Sequence, residues 1–289
     1  MKTFSLIALA AAALIVSCTS KDIEGIHTEK IDGVSVSWIR DTPQPKLNPV
    51  ALFPAAPQSL VDSLGLQDGI PASMSSFLVK DRKGNVALFD TGLGANFSCL
   101  GKGLEYLGVK PEDVDYVFIT HLHGDHIGGL LKKEVHDDFG ASGAYDDPVA
   151  SQNYVAAFPN ATVYVSEEEL IAWLEMGDKT PQSIPSIVDL YSERLVTFDY
   201  GEELPMGFVT LYAAGHTPGH TVFQRGKLLI VGDIMHAVAL QLADPSINAV
   251  YDMNPEAAEL SRRAILDLAR ENALVLAGSH FPEPGFLRF

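Results

Sequence analysis

The chain has 289 residues, 47% of them hydrophobic, which supports one large domain with a substantial core or at most two small ones. Its 20 basic and 37 acidic residues give a formal charge of −17, and no basic patch with interleaved aromatics offsets it, so nucleic acid is not expected as a partner. No low-complexity tract or linker divides the chain, and the proline-rich stretch from Asp41 to Pro57 reads as a long surface arm.

The N-terminus comes first in chain order. Met1-Lys2 is followed by an apolar run from Phe4 to Val16, then Ser17-Cys18. A basic start with a short apolar segment is a secretory signal, too short to span a membrane. Ile15-Val16-Ser17-Cys18 resembles a bacterial lipobox, which implies cleavage after residue 17 and a lipidated Cys18. Residues 18–30 are then expected as a flexible tether. Thr19 rather than Asp after the cysteine favours outer-membrane sorting where the cell has two membranes; a soluble periplasmic or extracellular protein is the alternative. Without Lys2 the balance becomes 19 minus 37, or −18. Cys99 is left with no partner for a disulfide and is expected as a small buried hydrophobe.

Apolar runs rich in β-branched residues then recur as expected strands: Val34–Ile39, Ser76–Val79, Val86–Phe89, Val114–Ile119, Thr162–Val165, Val196–Phe198, Phe208–Tyr212, Thr221–Phe223, Leu228–Val231 and Ala273–Leu276. Two helices stand out. Ser166 with Glu169 three residues on reads as a capping box, with Gly177 as the stop. Asn254-Pro255 opens a second helix, whose apolar stripe carries Ala258, Ile265 and Leu268 toward Ala269. The early part is β-rich and the rest mixes strands with helices, which implies an α/β (α+β) domain of two packed sheets with helices outside, over residues 31–289. The polar segment from Lys132 to Asn160 reads as a loop near the site.

Every strong chemical signal sits at the end of a strand. His121-Leu122-His123-Gly124-Asp125-His126 follows Tyr116-Val117-Phe118-Ile119, and puts three imidazoles and a carboxylate within six positions. Neutral imidazole and carboxylate together suit a borderline divalent ion such as zinc. Gly215-His216-Thr217-Pro218-Gly219-His220-Thr221 follows Phe208–Tyr212, Gly232-Asp233 follows Leu228–Val231, and Gly278-Ser279-His280 follows Leu274–Leu276. Asp90-Thr91-Gly92 ends an earlier strand in the same way.

These motifs together resemble the metallo-β-lactamase-fold metallohydrolase superfamily from about Ile31 onward. The resemblance is greatest to the methyl parathion hydrolase and lactonase-like branch, through Phe158-Pro159-Asn160-Ala161, Gly232-Asp233-Ile234-Met235-His236-Ala237, Ala239-Leu240-Gln241 and Ser279-His280-Phe281-Pro282. It implies a four-layered αβ/βα sandwich with a dinuclear site at one edge. His121, His123 and His216 would hold one metal, Asp125, His126 and His280 the other, and Asp233 would bridge them. His220 and Asp90 would support those ligands from behind. Lactonases of the superfamily often carry a tyrosine three residues after the bridging Asp; here that place holds His236. It either serves catalysis as a hydrogen-bond or proton donor to substrate or packs behind the metals. Trp173 is expected in the core, with an aromatic pocket wall as the alternative, and His27 and His136 are expected in solvent. Only nine residues follow His280, so the further strand that such relatives carry is not expected.

Two divalent ions roughly 3.5–4 Å apart can share a water and lower its pKa, giving a bridging hydroxide. The expected function is therefore a lipid-anchored dinuclear hydrolase acting on a small ester-like molecule: a lactone, a carboxyl ester or a phosphotriester, in that order. The metals are expected to be zinc, with manganese, iron or cobalt as alternatives. The rival readings are a mononuclear iron oxygenase of the persulfide dioxygenase type, which uses fewer ligands, and a non-catalytic binding lipoprotein, which would not need a complete set.

Overall fold

Along Val34–Arg40 and Ser75–Lys80 nearly every side chain is buried, because both faces of these strands are covered. The computed structural model describes residues 24–133 and 154–289. In chain order it forms β1 (Ile26–Ile31), β2 (Val34–Arg40), β3 (Lys46–Asn48), α1 (Gln58–Ser63), β4 (Ile70–Ala72), β5 (Ser75–Lys80), β6 (Val86–Phe89), α2 (Leu100–Tyr106), β7 (Tyr116–Phe118), α3 (Gly124–Ile127) and β8 (Leu131–Lys133). There follow β9 (Tyr154–Ala156), β10 (Thr162–Ser166), α4 (Glu167–Leu174), α5 (Ser183–Leu190), β11 (Leu195–Phe198), β12 (Glu203–Leu204), β13 (Phe208–Tyr212), β14 (Thr221–Arg225), β15 (Leu228–Gly232), α6 (Val238–Ala243), α7 (Pro255–Asn272), β16 (Val275–Gly278) and β17 (Phe286–Arg288).

A seven-stranded sheet runs β1-β2-β5-β6-β7-β10-β11 and a six-stranded sheet runs β12 to β17 in order. Their inner faces meet through Trp38, Phe77, Phe89, Phe118, Phe208 and Phe223. Each fully buried side chain of this kind contributes roughly 1.5–3 kcal/mol. The first sheet's outer face packs on α2, α4 and α5 through Leu104, Trp173 and Ile187, and the second's on α7 through Ile265, Leu266 and Ala269. The result is the αβ/βα sandwich that the sequence resemblance implies. No helix among the described residues is long and apolar enough to cross a membrane.

Several expectations change. Residues 26–30, read as tether, form the edge strand β1, with Ile26 opposite Ile39 and Ile31 opposite Val34. His27 lies there half-buried against the Phe286 ring, not free in solvent. The stretch from Asp41 to Pro57 runs mostly exposed along the surface, as expected of an arm, but it is pinned by three buried residues. Asp41, Asn48 and Phe53 are buried, and Asp41 accepts hydrogen bonds from Leu93 N, Ser98 Oγ and Leu100 N. The sequence shows its prolines but not the loop it holds. Cys99 precedes α2 and is only partly buried.

Gly177 does not end the third-quarter helix at once; α4 stops at Leu174, and a further helix, α5, carries Pro185. A proline in the first turn removes no intrahelical bond, so the helix tolerates it. Ala273 takes a left-handed conformation as the cap of α7, which delays the strand to Val275. The further strand missing from the sequence reading is present: Phe286–Arg288 pairs antiparallel with β16 and extends that sheet. Lys132 and the residues after Tyr154 pair at the ends of the expected loop, while His136, Cys18 and the signal lie outside the described residues.

Candidate metal centre

Five strands end at one edge of the two sheets, and each delivers polar residues there. β6 leads into Asp90, β7 into Thr120 and His121, β13 into the turn with His216, β15 into Asp233, and β16 into Ser279 and His280. Where a strand stops pairing, successive side chains no longer alternate between two covered faces, so several can point into one pocket. Gly232 makes the last step possible. It has φ +49°, and a Cβ there would lie 2.7 Å from His220 Nε2 and 2.9 Å from Thr120.

All seven expected ligands come together. His123 Nδ1 lies 3.0 Å from His121 Nε2 and 2.9 Å from His216 Nε2. Asp233 stands in the middle, with Oδ2 at 3.2 Å from His216 Nε2, 3.0 Å from His280 Nε2 and 3.7 Å from His121 Nε2. Its Oδ1 is 3.2 Å from His126 Nε2. Asp125 is 3.8 Å from His126 Nε2 and 3.5 Å from His280 Nε2. The donor atoms of His121, His123, His216 and Asp233 all lie within 4.8 Å of one another, and so do those of Asp125, His126 and His280.

This donor set fits a divalent cation. Three converging ring nitrogens cannot all be satisfied by protons shared among themselves. His126 Nε2 and Asp233 Oδ1 are buried and face each other at 3.2 Å without a well-aligned hydrogen bond, an expensive state that a bound cation relieves. The outer ring nitrogens are already committed. His126 Nδ1 donates to Asp90 Oδ2 at 2.7 Å, His216 Nδ1 to Asp252 Oδ1 at 2.9 Å, and His280 Nδ1 to the Ser73 carbonyl at 2.8 Å. Each bond fixes the tautomer that leaves the Nε2 lone pair facing the centre.

The electrostatics follow from burial and proximity. Burial and the neighbouring His126 push His121 well below the ordinary histidine range, and burial with His216 takes His123 down to about 3. Burial also opposes charge on His216, but hydrogen bonds to Asp233 and Asp252 outweigh it and push that ring up to about 9. Burial alone would raise Asp233; the imidazoles of His126, His280 and His236 hold it well below the usual carboxylate range. An anionic Asp233 inside a ring of imidazoles is the charge arrangement that cation binding needs.

Asp90 lies behind the site as expected, accepting from Thr120 N and Oγ1 at 2.8 Å each as well as from His126. It does so at φ +56°, a strained conformation held by those bonds. His220 is also behind: its Nε2 accepts from Asp233 N at 3.0 Å, and burial with His216 takes it down to about 3. His236 is seated deep. It is 3% exposed, its Nε2 is 3.0 Å from Asp233 Oδ2, and its ring stacks on His280 at 4.7 Å. Trp173 lies in the core as expected, with its ring edge-to-face to His123 at 5.5 Å between centroids.

Asp252 and Arg262 escaped the sequence reading. Arg262 is 1% exposed on α7 and donates to Ile234 O, Pro245 O, Asn248 Oδ1 and Asp252 Oδ2, so it anchors the carboxylate that orients His216. The one available signal was position: Arg262 falls between Ala258 and Ile265 on the apolar stripe of its helix. Asn48 was missed similarly, and Gln241 enters the sequence reading only within the stretch Ala239-Leu240-Gln241, with no role of its own. They hold the His236 carbonyl and amide at 3.0 and 2.8 Å.

Comparison with known proteins agrees with this geometry. The profile of the metallo-beta-lactamase superfamily matches residues 70–132 and 150–280. Among solved structures, the hydrolase AbOPH of the beta lactamase superfamily superposes with TM-score 0.74 at 26% identity, covering 93% of this chain and 94% of that one. AidC, a dizinc quorum-quenching lactonase in complex with N-hexanoyl-L-homoserine, gives TM-score 0.74 at 23% identity, with 91% and 92% covered. Among curated proteins, Ribonuclease TTHA0252 of Thermus thermophilus is 32% identical over 154 residues, 50% of this chain and 32% of that protein. Ribonuclease Z of Aeropyrum pernix is 46% identical over 55 residues, 19% of this chain and 16% of that protein. The chain thus spans a third or less of either ribonuclease. It belongs to the metallo-beta-lactamase superfamily, as a metal-dependent hydrolase.

Proposed function

We propose that the chain is a dinuclear hydrolase of small ester-like molecules, with lactones first, then carboxyl esters and phosphotriesters, in the methyl parathion hydrolase and lactonase-like branch. One observation carries the reading: two ligand groups meet at a single buried carboxylate, Asp233, with one imidazole set on each side. His121, His123 and His216 would hold one divalent ion, Asp125, His126 and His280 the other, and Asp233 both, with zinc the first choice. The bound pair supplies a water acidified toward neutrality and a Lewis acid for the electrophilic oxygen.

The chain's own residues do the rest. Asp90, Asp252 and the Ser73 carbonyl keep three imidazoles in the tautomer that faces the centre. His236 holds its Nε2–H on Asp233 Oδ2 at 3.0 Å; with Asp233 engaged by the metals, that donor would turn to the oxygen that gains charge as the ester opens. Tyr251, with its ring 5.7 Å from His236, and Met253 stand partly exposed at the rim, an apolar approach suited to a small organic substrate. The likeness to AidC, a dizinc lactonase with an acyl-homoserine product bound, supports the lactone as first choice.

The test is a panel of lactones, aryl esters, phosphotriesters and a structured RNA, given to protein stripped by chelator and reloaded with zinc. Metal-dependent turnover of the first three classes supports the reading. Cleavage of RNA alone, or oxygen consumption on a persulfide with a single iron bound, overturns it. For location we propose secretion and lipid anchoring at Cys18, at the outer membrane or cell surface. Cys18→Ala should move the protein from the membrane fraction to the soluble one.

A further inference from the structure

Glu169 is fully buried on α4, outside the ring of ligands, and no Lys or Arg among the described residues is bonded to it. Its carboxylate accepts three neutral N–H groups. Oε1 takes Trp173 Nε1 at 2.7 Å and Leu122 N at 2.8 Å; Oε2 takes Gly219 N at 2.7 Å. Burial pushes this carboxyl above its ordinary range against the pull of those donors. A side chain needed only for packing would be apolar at lower cost, since a buried carboxylate without a cationic partner is expensive.

What the carboxylate joins explains the choice. Leu122 lies between His121 and His123, in the turn that leaves β7 of the first sheet. Gly219 lies between His216 and His220, in the turn that enters β14 of the second sheet. The Gly219 peptide is gripped on its other side too, its carbonyl accepting from Ser166 Oγ at 3.0 Å and Tyr200 Oη at 2.9 Å. A Cβ at residue 219 would lie 2.3 Å from Glu169 N, so the turn can approach α4 this closely only as glycine. Trp173, four residues along the same helix face, sets its ring edge against His123. The sequence marks Glu169 as half of a capping box, yet only the Ser166 half forms, with Ser166 Oγ accepting from Glu169 N. The carboxylate reaches across to the two turns instead.

We infer that Glu169 is a positioning residue that fixes the spacing of the His121/His123 turn against the His216 turn, and so sets the geometry and affinity of that ligand group alone. The inference rests on the metal reading proposed above. Asp125, His126 and His280 receive nothing from α4 and should be indifferent to it.

The experiment is a cobalt(II) titration of chelator-stripped protein, followed by visible absorption, for the wild type, Glu169→Gln and Trp173→Phe, with Tm recorded on each. Glutamine has one accepting oxygen and an NH2 that faces the donors, so it cannot hold both turns. The expected result for Glu169→Gln is a roughly 10–100-fold weaker Kd for one cobalt equivalent, with a changed ligand-field spectrum for that ion and wild-type affinity for the other. Trp173→Phe keeps the carboxylate and should move the same equivalent in the same direction by less; it decides the question if Glu169→Gln does not fold. Two equivalents with wild-type affinity and spectra, alongside a lower Tm, would make Glu169 a structural tie and overturn the inference. Wild-type protein that takes up fewer than two cobalt ions would overturn the metal reading, and the inference with it.

Discussion

The two halves of the centre are built differently. His121, His123 and His216 come from two sheets, and their positions depend on carboxylates brought by other elements, Asp252 before α7 and Glu169 on α4. Asp125 and His126 share the single turn of α3, and with His280 they are steadied by strand-end groups, Asp90 and the Ser73 carbonyl. Both halves span the sandwich, since His216 and His280 each come from the second sheet, but the first is steadied by carboxylates from outside the strand ends and the second by groups at the strand ends themselves. The half held by outlying carboxylates should be easier to loosen selectively from a distance, while the shared Asp233 makes the halves fail together when it is lost.

Removing what they share has the largest effect. Asp233→Ala should lose activity well beyond the roughly 10²–10³-fold that removal of a single hydrogen-bond donor costs, and should hold fewer than two metals. Retained metal pairs with wild-type kcat would break the picture of one centre. The halves are then separated by their outer carboxylates. Asp252→Asn should weaken one metal equivalent by about 10–100-fold, and Asp90→Asn should weaken the other by a similar factor. Metal titrations of the two single variants and the double variant decide this; a single variant that weakens both equivalents alike would merge the halves.

His236 touches both, lying against Asp233, His216 and His280. His236→Ala should keep about two metals and lower kcat by roughly 10²–10³-fold, with a smaller change in KM. Full turnover per bound metal pair, with reduced metal content or Tm, would leave His236 only a packing role.

The smallest effect lies outside the centre, at Asp41, which holds the loop over residues 93–100. Burial raises its carboxyl above the ordinary value of 3.8 in the folded protein. The unfolded chain thus ionises first, so the stability from this group is full below pH 3.8 and declines as pH rises through the folded value. The stability of the wild type relative to Asp41→Asn should therefore shrink as pH is raised from below that value toward neutrality. Urea unfolding at a series of pH values checks the sign; a growing difference would contradict it.

The seven ligands were legible in the sequence because each stands in a short motif directly after an apolar strand, where strand ends gather. The sandwich was legible for the same reason: buried strands write long β-branched runs. Asp252, Glu169 and Arg262 were not, because their chemistry depends on partners far away in the chain. Glu169 is written as a helix cap, and Arg262 as one more charge on a helix whose apolar stripe it in fact occupies. The arm from Asp41 to Pro57 hid its role for a related reason. Its prolines mark turns locally, but the buried Asn48 that reaches the His236 carbonyl shows only in three dimensions.

The central claim is one centre with two metal sites joined at Asp233. Elemental analysis of protein purified without chelator tests it most directly. The account predicts about two divalent ions per chain, falling below two in Asp233→Ala; a reproducible single ion in the wild type, unchanged in that variant, would contradict it.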